Sequence, residues 1–186
     1  MHPTNEAVNQ IRDRYKEVTL AHWYHDDLLS LPWWILLAAT ILPWIIWWKW
    51  LRAPSRTLEL LVCVFAWSVI AMFGDVWGSY LLLWGYPDKL LPTVPPFLPA
   101  DMSVIPLSFA CAYQFTSTWR TYLFATVALS ACFSYVIEPL FIRFGMFEIH
   151  RWRHAYSLFG FLLLAVLVRY WMLRWRAEPR TDRTIA

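Results

Sequence analysis

The sequence has few charges, and several long stretches have none. Only 16% of the 186 residues are Asp, Glu, Lys or Arg, whereas 59% are hydrophobic. Soluble domains are typically about 45–50% apolar. The sequence also lacks a glycine-rich phosphate loop, a nucleophile elbow and an internal repeat. These absences argue against ordinary soluble nucleotide-binding or serine-hydrolase domains, and a net charge of +3 does not favour nucleic-acid binding.

Cysteine is scarce as well. Its three occurrences, Cys63, Cys111 and Cys132, fall in apolar segments, and none forms a CxxC pair. A free cysteine in such surroundings behaves as a small apolar side chain. The cysteines therefore indicate neither a disulfide framework nor a metal centre.

Tryptophan and uncharged runs are abundant instead. The chain has 14 tryptophans, a residue enriched where a membrane meets water. A helix needs about 17–25 apolar residues to cross a bilayer. We therefore predict an all-α integral membrane protein whose single transmembrane domain, residues 31–174, is a bundle of five helices. Their approximate bounds are 31–50, 57–83, 101–119, 121–143 and 154–174.

The two ends of the chain differ from this domain. Within residues 1–30, apolar side chains recur at spacings of three and four with charges between them, at Val8, Ile11, Tyr15, Val18 and His22. This pattern predicts an amphipathic helix on the membrane surface. Residues 175–186 form a short basic tail. The balance of Lys and Arg beside the spans predicts a multi-pass protein of the bacterial cell membrane with its N-terminus outside and its C-terminus in the cytoplasm.

Three carboxylates interrupt the predicted spans in the same half of the membrane. Asp75 lies near the outer end of the second helix, Asp101 at the outer start of the third, and Glu138 near the outer end of the fourth. An ionised side chain inside a bilayer costs a few kcal/mol, and such residues usually face a cavity or a partner within the bundle. We therefore predict one shared site. Its further candidate residues are Trp77, Tyr80, Trp84, Tyr86, Tyr135, His154 and Tyr156.

Each charged group also has a structural interpretation. Asp101 follows Pro99-Ala100 and could serve as the N-cap of the third helix. Glu138 could pair with an arginine among Arg143, Arg151 and Arg153. Arg169, the single charge within the fifth helix, is expected to extend to the membrane surface. Asp75 has no cation nearby in the sequence.

The histidines offer a metal site as an alternative. HWYHDD contains His22, His25, Asp26 and Asp27, while His150 and His154 stand four residues apart. All of them would lie on the outer face, where they could bind zinc. The spacing lacks the glutamate of an HExxH motif, and our leading hypothesis includes no cofactor.

Short motifs along nearly the whole chain support a family resemblance. They are WYHDDL at 23–28, PWIIWW at 43–48, GDVWGSYLLLWGYP at 74–87, LPADMSVIP at 98–106, YQ at 113–114, IEP at 137–139 and HAYS at 154–157. In these motifs the chain resembles a family of small multi-pass membrane proteins from spore-forming Gram-positive bacteria. That resemblance implies the membrane fold and no particular reaction.

A second resemblance covers about thirty residues. Asp75 is followed by Trp84 and Tyr86 and then by the sequence Pro99-Ala100-Asp101-Met102. This order is similar to the membrane-integral lycopene cyclase domains and related terpene cyclases, which carry an intramembrane acid, a W-x-Y element and a P-x-E-E motif. Only Asp101 stands where that family has two adjacent acids, and Glu138 is our candidate for the missing carboxylate. The resemblance implies cyclisation of an isoprenoid.

Two functions follow as hypotheses. A carboxyl group in an apolar site stays protonated and can protonate an alkene or epoxide as a general acid, and aromatic faces stabilise the resulting cation. The leading hypothesis is therefore an acid-initiated isoprenoid cyclase whose substrate comes from the membrane lipid. The alternative is a non-catalytic protein, either a binder of lipid or small ligands or a partner subunit, whose acids form a structural ion-pair network with Arg143, Arg151, Arg153 and His154. Clustered acids beside an apolar cavity would favour the cyclase, and acids neutralised by arginine would favour the alternative.

Overall fold

The computed structural model describes residues 2, 4–92 and 97–177, and its main elements are helices. The α-helices are α1 Asn5–His22, α2 Leu31–Ile46, α3 Thr57–Tyr80, α4 Ile105–Phe115, α5 Trp119–Cys132, α6 Glu138–Arg143 and α7 His154–Ala177. Five-residue π-helical turns adjoin them at Trp23–Asp27, Trp47–Leu51, Ala100–Val104 and Phe133–Ile137, and a 3₁₀ turn, Pro54–Arg56, precedes α3. Residues 93–96, between the second and third predicted spans, and most of the predicted tail lie outside the described residues.

Four helical segments of the described chain are long and apolar enough to cross a membrane. They are Leu31–Leu51, Pro54–Tyr80, Trp119–Arg143 and His154–Ala177. The all-helical membrane fold is thus supported at this coarser level. The remaining predicted span, 101–119, ends at Phe115 and is shorter. Helix α3 ends three residues earlier than predicted, and Leu82, just beyond it, adopts a left-handed backbone conformation with φ +53°.

Helix α4 and its preceding π turn run antiparallel to α3. Asp101, at the start, lies beside Asp75, while the Tyr113 hydroxyl, near the end, donates a hydrogen bond to Glu59 at 2.6 Å. Glu59 and Asp75 are about 24 Å apart along α3, given a rise of about 1.5 Å per residue. We call the end of the bundle with Asp75 the upper end and the end with Glu59 the lower end.

A proline accounts for one contact between α2 and the start of α4. Pro106 has no N–H, so it cannot donate to the carbonyl of Met102 one turn earlier. The indole N–H of Trp44 donates to that carbonyl instead, at 3.0 Å. The free carbonyl of Met102, in the π turn before α4, thus anchors α2.

Two short strands join the upper loops, although only helices were predicted. β1 Trp84–Gly85 pairs with β2 Glu148–Ile149 in an antiparallel ribbon, with Trp84 opposite Ile149. Two residues are too few to show the alternating pattern by which a strand is recognised. The ribbon fixes the loop after α3 against the loop before α7.

The main core lies lower in the bundle. Trp67 of α3 stacks on Phe109 of α4 with ring centroids 4.2 Å apart, and Cys63 is buried beside them as apolar filler. The expectation for Arg169 was wrong, because its side chain is 3% exposed and does not reach the surface. It donates to the Thr116 hydroxyl and to the Ser117 carbonyl, and aromatic rings surround it. Those bonds hold the turn between α4 and α5 against α7.

Helix α1 packs differently from the rest, since it buries none of its residues. The apolar positions Val8, Ile11, Tyr15 and Val18 are all exposed. The π turn Trp23–Asp27 continues α1 and leads into α2. Helix α1 therefore has an unburied apolar stripe within a few residues of the first candidate span.

Candidate acid site

Asp75 and Asp101 form a buried carboxyl pair at the upper end. Each residue is 5% exposed, and the two carboxyl groups are within hydrogen-bonding range of each other. Asp101 Oδ2 receives no N–H or O–H donor from another described residue, whereas the Phe97 backbone N–H lies close to the Asp75 carboxyl group. Two ionised carboxylates this close repel each other, and a hydrogen bond between them requires one to carry a proton. Such a contact is favourable only when one of the two carboxyl groups carries a proton.

Two aromatic donors hold Asp75. Its Oδ1 accepts hydrogen bonds from the Trp84 indole N–H at 2.8 Å and from the Tyr86 hydroxyl at 2.6 Å. The W-x-Y spacing explains this geometry, because residues two apart on an extended segment point to the same side. Burial, followed by the charge of Asp75, raises the pKa of Tyr86 well above its ordinary value. Tyr86 therefore stays a hydrogen-bond donor.

Aromatic rings fill the space around the pair. A Cβ on Gly78 would lie 1.9 Å from the Trp84 ring, so the ring packs directly on the helix backbone. The Tyr86 ring stacks on Phe97 with centroids 4.4 Å apart. Two surface recesses occur elsewhere, along α1 beside Arg14 and Val18. The acids thus meet aromatic faces, where we had expected an apolar cavity.

Glu138 pairs with His154, the one histidine of the predicted structural network, and with none of the three arginines. Its Oε2 lies 2.6 Å from His154 Nδ1. The Ser157 hydroxyl lies close to Glu138, and the Trp152 indole N–H donates to Ser157 Oγ at 2.9 Å. The start of α6 and the start of α7 are thereby joined.

Two indoles connect Glu138 with the acid pair. The rings of Trp84 and Trp152 meet edge to face with centroids 4.8 Å apart. The Tyr86 hydroxyl also lies in the electrostatic field of Glu138, in addition to the fields of Asp75 and Asp101. The predicted acids therefore occupy one region in two hydrogen-bonded groups. Sequence analysis missed Trp152 and Ser157, which no motif marks.

The other predicted side chains divide between the two sides of α3. Tyr135 lies 6.2 Å from the His154 ring and Tyr156 lies 5.3 Å from the Trp152 ring. Trp77 and Tyr80 are 62% and 77% exposed and contact each other. Helical geometry explains their position, since residues two and five after Asp75 project about 160° and 140° away from it. These two residues are not brought to the acids.

The N-cap interpretation of Asp101 is wrong. The cap residue is Pro99, and Asp101 lies inside the π turn Ala100–Val104 with its side chain turned to Asp75. A π turn widens the helix by one residue and often occurs at functional positions. Asp101 consequently contributes its carboxyl to the pair and not to the helix end.

The WYHDDL motif anchors the loop that carries Tyr86. Asp27 is 2% exposed, and its Oδ2 accepts the backbone N–H of Lys89 at 3.2 Å. The indoles of Trp23 and Trp33 both donate to the Leu90 carbonyl. The junction of α1 and α2 thus holds residues 89 and 90, and through them the approach of Tyr86 to Asp75.

The metal alternative gains no support. In the part of the chain that the structure describes, no group of three or more His, Cys, Asp or Glu side chains could hold a metal ion. His22 instead contacts Asp26 at 3.0 Å and Asp27 at 3.4 Å.

No protein-family model, curated protein or solved structure matches the chain significantly. Both family resemblances therefore remain predictions.

Proposed function

We propose that the chain crosses the membrane five times, with the upper end outside and α1 on the outer surface. Four segments have the required length and apolarity. The fifth crossing would be Ala100–Phe115, which accompanies α3 over about 24 Å. The exposed apolar stripe of α1 fits the lipid interface next to α2.

We propose that this membrane protein is an acid-initiated isoprenoid cyclase. One observation carries the proposal: Asp75 and Asp101 lie buried beside each other among aromatic rings, and neither forms an ion pair with a described cation. Such a pair is a proton donor with a ready conjugate base. Protonation of an alkene or epoxide starts a cyclisation without a metal or a nucleotide.

The hydrogen bonds assign different roles to the two acids. Asp75 Oδ1 accepts from Trp84 and Tyr86, and hydrogen bonds to the charged form of a carboxyl group favour that form. Asp101 has no such donors, so it carries the shared proton and delivers it. Asp75 accepts the hydrogen bond that holds this proton on Asp101. Asp75 itself stays negatively charged before Asp101 donates the proton and after Asp101 regains one. The faces of Trp84, Tyr86 and Phe97 stabilise the cations formed beside them.

Expression in an isoprenoid-producing host tests this function. Lipid extracts analysed by mass spectrometry should contain a cyclised product with the wild-type chain. D101N should reduce it by about 10²–10⁴-fold, the usual contribution of a general acid. Asp13→Asn is the matched control, because Asp13 is exposed on α1. A wild-type chain that forms no new product, or a folded D101N variant that keeps full product, would refute the proposal.

The packing of aromatic rings directly on the acids favours a second candidate. In this second candidate function, the protein is a non-catalytic membrane protein and the acid pair is a structural contact that joins α3, α4 and the ribbon. Removing either acid would then lower stability without affecting the lipids of the host. The same lipid extracts, compared with the melting temperature of each variant, separate the two functions.

A further inference from the structure

A second pair of titratable groups lies at the upper end and has no role in the initiation step. Glu138 and His154 are hydrogen-bonded at 2.6 Å, with side chains 16% and 31% exposed. The acid pair is nearly closed to water, whereas this pair is partly open. Because it lies where α6 begins and α7 begins, at the upper end of the bundle, it is the more accessible of the two pairs.

The second pair is close to the first but separate from it. Trp84, which donates to Asp75, contacts Trp152, and Trp152 donates to the Ser157 hydroxyl beside Glu138. A proton donor and a proton acceptor at opposite ends of this aromatic contact would not neutralise each other directly. A substrate lying along the rings would have one pair near each end.

We infer that the Glu138–His154 pair is the base that ends the cyclisation, an inference that rests on the proposed function. Asp101 adds a proton to one end of the alkene, and ring closure moves the positive charge along the substrate. At the end a C–H bond beside the cationic carbon breaks. Its electron pair forms the new C=C bond, and its proton passes to the Glu138–His154 pair.

The atoms balance without any co-reactant. One proton enters the substrate from Asp101 and one leaves it to Glu138–His154, so the product is an isomer of the substrate. Water at the upper end takes the released proton, and Asp101 regains one from water after the product has left the site. The Ser157 hydroxyl and the imidazole of His154 orient the accepting carboxylate.

The variants E138Q and H154Q test the inference in the same host. E138Q removes the accepting carboxylate, and H154Q removes the imidazole that orients it, so in either variant the final cation persists until water captures it. We expect the cyclised alkene to fall by about 10²-fold or more and a product heavier by one water to replace it. Glu148→Gln is the matched control, since Glu148 also faces a histidine but is 56% exposed on the ribbon.

Each outcome is decisive. Unchanged alkene in both variants would overturn the inference and leave the cyclase standing. Loss of every product, hydrated ones included, from a folded E138Q variant would place Glu138 in the initiating step and also overturn it. If the wild-type chain forms no product, the proposed function and this inference fall together. If E138Q does not fold, H154Q decides: unchanged alkene in that variant would show that the Glu138–His154 pair is not the base and would overturn the inference.

Discussion

Replacement of Asp75 by asparagine should hardly affect stability, whereas replacement by alanine should be severe. The asparagine of D75N keeps an oxygen that accepts from both Trp84 and Tyr86, and its amide N–H can donate to Asp101 where the shared proton was. In D75A the indole N–H and the phenol O–H lose their acceptor in a buried place. A buried donor without a partner costs about 1–3 kcal/mol. We therefore expect D75A to lose about 2–6 kcal/mol and D75N much less, because two such donors are affected only in D75A.

Unfolding of the purified protein in detergent measures this difference. Tryptophan fluorescence reports it directly, because Trp84 is one of the two orphaned donors, and D13N on the exposed face of α1 is the control. The reasoning fails if D75N is as unstable as D75A. Such a result would mean that Asp75 serves an unidentified cation, since breaking a buried ion pair costs about 3–5 kcal/mol.

Activity should respond in the opposite way to stability. An asparagine at position 75 donates to Asp101 and so favours the ionised form of Asp101. The variant would then lack the shared proton while keeping the packing. A stable D75N protein without product supports catalysis, and a stable D75N protein with full product excludes the pair as the proton source.

Three further predictions concern packing, pH and topology. Gly78→Ala places a Cβ 1.9 Å from the Trp84 ring and should lower the free energy of unfolding by about 1–3 kcal/mol or more. Gly74→Ala, with no atom within 4 Å, should be tolerated. Thermal unfolding of the two variants measures the difference. Burial, and then the charge of Asp27, raise the pKa of Asp88 above its ordinary 3.8, although His22 opposes this. The stability that Asp88 contributes is then fully present below pH 3.8 and is lost as pH rises through the raised pKa. D88N should therefore melt at a higher temperature than the wild type at neutral pH, and this difference should be smaller at about pH 4. A reporter fused at the C-terminus should read cytoplasmic and one inserted at residue 91 external, by protease protection of the reporter.

Each of these has a contrary result. Equal melting temperatures for the two glycine variants would show that the indole does not pack as described. A D88N difference that is the same at both pH values would mean that Asp88 keeps its ordinary pKa. Two reporters on the same side would refute five crossings.

The sequence indicates the acid site through residue type and helix direction. Asp75 and Asp101 stand out because charges are rare in apolar spans, and the antiparallel order of the second and third spans brings both to one end. Helical periodicity also determines which neighbours of Asp75 reach the site. It keeps Gly78 on the same face as Asp75 and turns Trp77 and Tyr80 away.

Other features depend on contacts between distant segments. Glu138 has arginines nearer in sequence than His154, but the start of α7 presents the histidine. Arg169 resembles a residue that reaches the surface, yet aromatic rings and the Thr116 hydroxyl surround it. The π turn that places Asp101 inside the helix and the two-residue ribbon that aims Trp84 are too short to leave a periodic pattern.

The double variant D75N/D101N tests whether the two acids are needed for the fold at all. Its two amides can reproduce every hydrogen bond of the pair, since the asparagine at position 75 accepts from Trp84 and Tyr86 and donates to the amide oxygen at position 101. It also carries no charge, so the cost of burying an ionised group disappears. We expect the free energy of unfolding to equal or exceed that of the wild type, measured as for D75N, while any cyclised product is lost. A double variant that is several kcal/mol less stable would show that the shared proton holds α3 and α4 together, and the structural candidate would then be preferred.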